Sequence, residues 1–345
     1  MAEPIDFKYP FDSVEPDMPF SLRQNTQMKA VVLEAFGGPE HLICRQSNKP
    51  RPESSMLLIK VMASSVNPID CKLRRDGTLA GIELPVILGL DAAGIVEEVG
   101  TGCSRFKKGD EVFYTAPIEK NRMGTYAEYH LIHEDLVAIK PPALSFIEAA
   151  GLPLAGCTAW QALFERGHLQ LGETILIHAG AGGVGSLAIQ MAKAAGARVL
   201  ATCRKANRDL VANLGADAVI DYRIEDVTRA VQSVVGSHAL DVVFDTVGGV
   251  TIANSLSLLK PGGRILSIAA SDSVLGTAYR KNIDLHLVYV TRSRQLMEHL
   301  SALIENGKVR PVIDLVLPLE QIGEAHKRLE AGGVRGKIII ETTLS

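Results

Sequence analysis

Apolar positions change their rhythm about midway along the chain. From Met28 they come in short runs such as MKAVVLEAF and MLLIKVMASSV, rich in Val, Ile and Leu and separated by a Pro- and Ser-rich connection at residues 47 to 55. That texture predicts β-strands. A strand pair is expected over residues 86 to 99 (VILGLDAAGIVEEV), a further strand after Gly109-Asp110, and two short ones between Gly124 and Ile139. Up to about residue 150 the chain reads as a compact, barrel-like β domain with few helices. SFIEAAGLPLAGCTAWQALFER then reads as two helices broken at Gly151 to Pro153.

From there apolar runs alternate with helical patterns. Residues 171 to 205, LGETILIHAGAGGVGSLAIQMAKAAGARVLATCRK, give strand, glycine turn, helix and strand in unbroken order. Helices follow at 206 to 214, 225 to 235 and 250 to 259, with strands at Ala218 to Asp221, Asp241 to Asp245 and Arg264 to Ala269. This alternation is the signature of a doubly wound parallel sheet. The last part, helix 293 to 306, strand 312 to 317, helix 319 to 331 and strand Gly336 to Glu341, has too few elements for a domain and is expected to return to the N-terminal β domain. The expected division is an N-terminal arm (1–27), a β domain (28–152), a nucleotide-binding domain (153–290) and a returning segment (291–345).

The glycine turn carries the first chemistry. Gly180, Gly182, Gly183 and Gly185 form G-x-G-G-x-G between a strand and a helix. Lacking a Cβ, they let backbone N–H groups and the helix N-terminus face a pyrophosphate. A purely structural turn is the alternative. NAD-specific proteins usually offer a carboxylate to the ribose about 20 residues past the glycines. Here the chain reads Thr202-Cys203-Arg204-Lys205, a hydroxyl and cations suited to a 2′-phosphate, so NADPH is expected over NADH. A solvated basic loop is the alternative. Strand ends place Thr246-Val247 and Ala269 to Ser271 beside the cofactor.

Composition narrows the classes. The chain has 345 residues, 47% hydrophobic and 22% charged, with a net charge of -3, which points to neither nucleic acid nor an anionic membrane. No apolar run reaches the roughly 18 residues a membrane span needs. Five scattered cysteines without a C-x-x-C fit a reducing compartment and offer no zinc pair. His130 and His133 would face opposite sides of a strand. The N-terminal residues, acidic with four prolines, suit neither a secretory signal nor a transit peptide, so a cytoplasmic location is expected. Asn67-Pro68-Ile69-Asp70 is the first polar cluster placed to face a cleft, a simple turn being the other reading.

Several phrases in order (SVNPIDCKLRR, PVILGLDAAGIVEEVG, RFKKGDEVF, GTYAEY, GCTAWQAL, HAGAGGVG, LGADAVIDYR, DVVFDTVGG and VRGKIII) resemble the zinc-independent quinone oxidoreductases and 2-alkenal reductases of the medium-chain dehydrogenase/reductase superfamily. The resemblance implies a GroES-like β-barrel catalytic domain built from both ends of the chain around a Rossmann domain, with the active site between them. Zinc-dependent relatives carry a cysteine at the position of Asn67, Gly-His-Glu at Gly89-Leu90-Asp91, and a four-cysteine lobe after Val112. All three are absent here, so a metal-free site is expected. Without a Lewis acid to polarise a carbonyl, a conjugated acceptor is the natural substrate.

The reaction implied is hydride transfer from NADPH to a quinone or to the β-carbon of an enone or 2-alkenal. The resemblance places Asn67, Lys72 and Tyr126 at the catalytic site. It assigns cofactor contacts to Thr158, Gly180, Ala181, Gly182, Gly183, Val184, Thr202, Cys203, Arg204, Lys205, Tyr222, Thr246, Val247, Ala269, Ser271 and Lys337. Many relatives have a tyrosine near Cys71-Lys72, which leaves the acceptor open. Rival readings are an enoyl-thioester reductase, an NADPH-binding structural or regulatory protein with little turnover, and a metal enzyme using scattered histidines. A homodimer is implied, and the apolar strand His286 to Val290 offers an edge for pairing; an internal strand of the Rossmann sheet is the alternative.

Overall fold

The structure, a computed structural model, describes residues 27–118, 123–237, 239–269 and 275–342. The expected N-terminal arm, up to residue 26, and the cofactor contact expected at Ser271 lie outside the described residues.

The first runs form β1 (Gln27–Leu33), β2 (Leu42–Asn48) and β3 (Met56–Val66). The hydrophobic pattern passed over β2. Its polar LICRQSN pairs along the whole of β1 with four positions exposed and none buried, so backbone pairing rather than burial makes it a strand. Helix α1 (Pro68–Arg75) starts directly after β3, with Pro68 in its first turn where a missing N–H costs nothing. β4 (Val86–Ile87), β5 (Asp91–Val99), β6 (Glu111–Thr115), β7 (Tyr129–His133) and β8 (Val137–Ile139) follow. Residues 86 to 99 are not the expected pair: β4 pairs with β1 and β5 with β3, so the chain changes sheet between them.

Helices α2 (Phe146–Ala150) and α3 (Pro153–Trp160) break where Gly151 and Pro153 predict, and α3 runs on as a π-helix over Gln161–Arg166. The alternating region holds β9 (Thr174–Ile177), α4 (Gly183–Ala194), β10 (Arg198–Cys203), α5 (Arg208–Asn213), β11 (Ala218–Asp221), α6 (Val227–Val235), β12 (Leu240–Asp245), α7 (Val250–Ser255), β13 (Leu259–Ser267), α8 (Leu275–Arg280) and β14 (Asp284–Leu287). Helix α7 stops short of residue 259 because the following Lys260-Pro261 is extended backbone that already belongs to β13. The six strands run parallel in the order β11-β10-β9-β12-β13-β14. The order reverses between β9 and β12, where such sheets open their ligand crevice. β14 is the edge strand of this sheet and ends at Leu287, short of Val290.

Then come α9 (Arg294–Glu305), β15 (Ile313–Pro318), α10 (Ile322–Glu330) and β16 (Lys337–Glu341). As expected, this end of the chain returns to the first unit. β16 lies antiparallel to β3, Ile338 opposite Val66, inside the sheet β15-β16-β3-β5-β6-β8, with β7 also paired to β3. The second sheet of this GroES-like unit is β2-β1-β4. The described pairings give two sheets rather than one closed ring. One apolar cluster joins the units: Phe113 and Ile339 pack with Ile175 and Phe244 through α3 and α4. The cleft between the units therefore rests on a continuous core.

Candidate active site

The glycine turn is fixed by close approach. Gly182 caps α4, and Gly183, Val184 and Gly185 form its first turn. A Cβ on Gly185 would lie 2.3 Å from the Ala179 carbonyl oxygen, and one on Gly183 would lie 3.0 Å from Lys337 Cδ. Ala179 itself has φ 52°, unfavourable for a residue with a Cβ. Thr202, at the end of β10, holds this corner: its carbonyl accepts from Gly180 N at 2.8 Å and its hydroxyl from Ala179 N at 3.2 Å. Thr202 is 2% exposed, so its hydroxyl serves the turn rather than a ribose, contrary to the sequence-based expectation.

The turn and the start of α4 form one wall of a cleft of about 260 Å³. Asn67, Pro68 and Lys337 form the facing wall, with Ala155 and Thr246 also lining it. Asn67 sits between β3 and α1, and Lys337 begins β16, so neighbouring strands bring together two residues 270 apart in sequence. The Asn67 amide donates to Asp91 Oδ2 at 3.0 Å and accepts from Lys337 Nζ. The Lys337 ammonium also lies 3.3 Å from Asp91 Oδ2. Asp91, fully buried, accepts further from the Ser65 hydroxyl at 2.8 Å and from Leu154 N at 2.8 Å. Four donors hold one carboxylate, which offsets much of its desolvation. The amide of Asn67 is thereby locked with its oxygen toward the ammonium.

Behind Asn67 lies a second buried group. Asp70 Oδ2 accepts from Asn67 N at 2.8 Å and from the Tyr126 hydroxyl at 3.0 Å, while Oδ1 has no partner. Burial pushes the Asp70 carboxyl up to about 7, with Asp91 adding to the rise. Tyr126, 0% exposed, meets His326 edge-on and lies 3.4 Å from its Nε2. It therefore stands behind the site and steadies Asp70, rather than bordering the cleft as expected. Lys72 is also misplaced by the sequence reading. On α1 its neighbours Cys71 and Arg74 face inward, and one helical step of about 100° turns Lys72 to solvent. The cation that reaches the site is Lys337.

Other expected contacts fall on both sides of the turn. A cavity of about 620 Å³ beyond it is lined by His178, Thr202, Tyr222, Val247 and Asn254 among others. A smaller one of about 120 Å³ lies between, lined by Ala181, Gly182, Cys203, Arg204 and Tyr222. Arg204 Nε donates to the Tyr222 hydroxyl at 3.0 Å. Lys205 is exposed in the short turn before α5. Arg335, which sequence reasoning passed over, donates to Asn207 Oδ1 at 2.8 Å and brings a further cation to this loop. Ala181 is tied to β16 through Gly336 N at 2.7 Å. Asp245 fastens the Thr246-Val247-Gly248 turn, accepting from Gly248 N at 2.8 Å. The Ala269 amide is bound to the Ser267 hydroxyl at 3.2 Å. Thr158 spends its hydroxyl on the Leu154 carbonyl at 2.7 Å and is 8% exposed, so Ala155 lines the cleft in its place.

This arrangement fits a dinucleotide. The glycines leave open a cradle that a Cβ would close, the 12-residue α4 starts on the cleft wall, and Arg204 lines the small cavity while Arg335 bonds to Asn207 at its edge. For a metal, the donor set is poor. Asn67 and Asp91 already hold an ammonium, and among the described residues no three His, Cys, Asp or Glu side chains gather in metal-binding proximity. His130 is packed against Tyr114 inside the first unit, pointing away from its strand neighbour His133, as alternation on β7 predicts.

Residues 53–142 match the family model for the alcohol dehydrogenase GroES-like domain, and residues 214–340 match one described as zinc-binding dehydrogenase. The quinone oxidoreductase of Sus scrofa is 35% identical over 91% of this chain and 97% of its own length. The chain belongs to the medium-chain dehydrogenase/reductase superfamily. Among its relatives there, the chloroplastic NADPH-dependent alkenal/one oxidoreductase of Arabidopsis thaliana is 35% identical over 91% of this chain and 79% of that protein. The solved quinone oxidoreductase of Coxiella burnetii superposes with a TM-score of 0.85 at 35% identity, covering 92% of this chain and all of that one. For this superfamily member the sequence missed Asp91 as an anchor, and also Ser65, His178 and His326. Their partners lie tens to hundreds of residues away, so even where a motif contains them, as HAGAGGVG does His178, it does not show what they hold.

Proposed function

We propose that the chain is an NADPH-dependent reductase of quinones and α,β-unsaturated carbonyl compounds that works without catalytic zinc. The observation that carries this reading is the cleft in which the glycine turn faces Asn67 and Lys337, held from behind by the buried Asp91. The names of the relatives support it. Bound there, the nicotinamide cofactor supplies a hydride. The chain supplies position and charge. Gly180, Ala181, Gly182, Gly183 and Val184 hold the diphosphate with backbone amides and the α4 N-terminus. Arg204, Lys205 and Tyr222 at the small cavity select the 2′-phosphate. Thr246, Val247 and Ala269 border the cofactor at the strand ends. Asn67 and Lys337 present an amide and an ammonium to the cleft, and preorganised donors of this kind stabilise negative charge developing on an acceptor oxygen.

Residues 28–152 and 291–345 are proposed as the catalytic domain and 153–290 as the nucleotide-binding domain. The edge of β14, unpaired among the described residues, with Leu287 and Tyr289 exposed, is the proposed dimer contact; sedimentation at a single chain mass would rule it out. No described helix is long and apolar enough to cross a membrane. A cytoplasmic site of action is proposed, to be checked by cell fractionation.

The deciding experiment is NADPH oxidation against a panel of quinones, 2-alkenals, enones and a crotonyl thioester. Quinones or alkenals turn over faster than the thioester, and Arg204→Ala with Lys205→Ala loses the preference for NADPH over NADH. NADPH raising the melting temperature while no acceptor speeds its oxidation would leave a binding protein instead.

A further inference from the structure

The corner that opens the diphosphate loop is strained, and the groups holding it there form one ordered chain. Ala179 takes φ 52° without being glycine, a conformation that persists only when its surroundings impose it. The only donor Ala179 offers is its N–H, which goes to Thr202 Oγ1 at 3.2 Å. Thr202 Oγ1 lies 3.3 Å from His178 Nδ1, and His178 Nε2 lies 2.9 Å from Ser255 Oγ. Ser255 Oγ donates onward to the Thr251 carbonyl at 2.8 Å. Each hydroxyl has one proton, so these contacts fix every direction. Ser255 has given its proton to a carbonyl and must accept from Nε2–H. Nδ1 is then the bare nitrogen and must accept the Thr202 proton, which leaves the Thr202 lone pairs for Ala179 N–H.

The imidazole is neutral in this scheme, as its surroundings demand: it is 4% exposed and burial holds its protonation down to about 4. No charged side chain bonds to it. The chain links the ends of β9 and β10 to the last residue of α7, which lines the large cavity on the adenosine side of the turn.

We infer that His178 is the positioning residue of the diphosphate loop, acting through Thr202 to hold Ala179 in its strained conformation before the cofactor arrives. This rests on the reading that residues 180 to 185 bind the diphosphate. Neither side chain touches the cofactor's reacting atoms. Their contribution is to a loop already set for binding, and lost preorganisation appears as weaker binding rather than slower chemistry.

The test uses the full-length protein and measures NADPH affinity by calorimetry and by KM, together with kcat, melting temperature and the affinity for adenosine 2′,5′-bisphosphate. Thr202→Val keeps the shape and the carbonyl but removes the hydroxyl, and His178→Leu removes both ring nitrogens. Each raises the Kd and KM for NADPH about tenfold, leaves kcat within about threefold, and weakens adenosine 2′,5′-bisphosphate less than NADPH. Thr202→Ser restores affinity to within about threefold of the parent. If Thr202→Val does not fold, Thr202→Ser and Ser255→Ala carry the same comparison: the first binds as the parent, the second more weakly. Thr202→Val binding NADPH as the parent does, or Thr202→Ser binding as poorly as Thr202→Val, would overturn the inference. Failure of the parent protein to bind NADPH would instead remove the functional reading beneath it.

Discussion

The ammonium of Lys337 occupies the space between Asn67 and Asp91. A fixed monovalent cation there orients the amide and neutralises the carboxylate. Lys337→Met leaves Asp91 buried with its neutral donors alone, and breaking such a pair costs roughly 3 kcal/mol. The same variant lets the Asn67 amide turn and lowers kcat/KM on the preferred acceptor about a hundredfold. Adding Asp91→Asn removes the stranded charge. The double variant therefore recovers most of the stability by chemical denaturation while turnover stays low; recovery of both would mean that Lys337 acts on stability alone. Lys72, by contrast, was legible only as one of three clustered cations. Nothing in CKLRRDG tells which side of a helix faces solvent until the helix is packed.

At the level of the element, the strand-turn-helix from Thr174 to Ala194 was readable because its signals are local: an apolar run, four glycines and a 3.6-residue pattern. The reasons for individual glycines were not. A Cβ at position 185 meets backbone at 2.3 Å, whereas one at 183 meets Lys337 Cδ at 3.0 Å. Gly185→Ala therefore raises the Kd for NADPH tenfold or more and lowers the melting temperature. Gly183→Ala presses on a side chain rather than on backbone, so it raises the Kd less than Gly185→Ala does. Fluorescence titration of both variants checks the order, and equal effects would contradict it. β2 and α8 escaped notice for a related reason, since short polar segments become regular only against a neighbour already in place.

The whole molecule buries titratable groups of opposite sign in pH. His130, His178 and His326 are each held near 4 by burial, below the 6.5 of a free imidazole. Folded pKa values below unfolded ones give stability that is present above about 6.5 and lost as pH falls toward 4. Asp70 runs the other way. Raised from 3.8 to about 7, it gives stability that is present below 3.8 and lost as pH rises through 7. Burial also lowers His286 and raises Asp245, so four groups stand against two and the melting temperature falls between pH 6.5 and 4.5. Asp70→Asn keeps an acceptor for Asn67 N and Tyr126 while removing the buried charge. Its advantage in melting temperature over the parent is largest near pH 8 and shrinks by pH 5; an advantage independent of pH would refute the assignment.

Periodicity, glycine spacing and the basic residues after β10 were enough to specify an α/β chain with a dinucleotide turn and a β unit completed by the C-terminus. The dinucleotide turn is written within about 30 consecutive residues, so short-range sterics and burial determine it. Which side chains face the cleft was decided only by tertiary structure. Asn67 meets Lys337 across 270 residues, Tyr126 meets His326 across 200, and the strand pairings that join them depend on register across sheets rather than on any local preference.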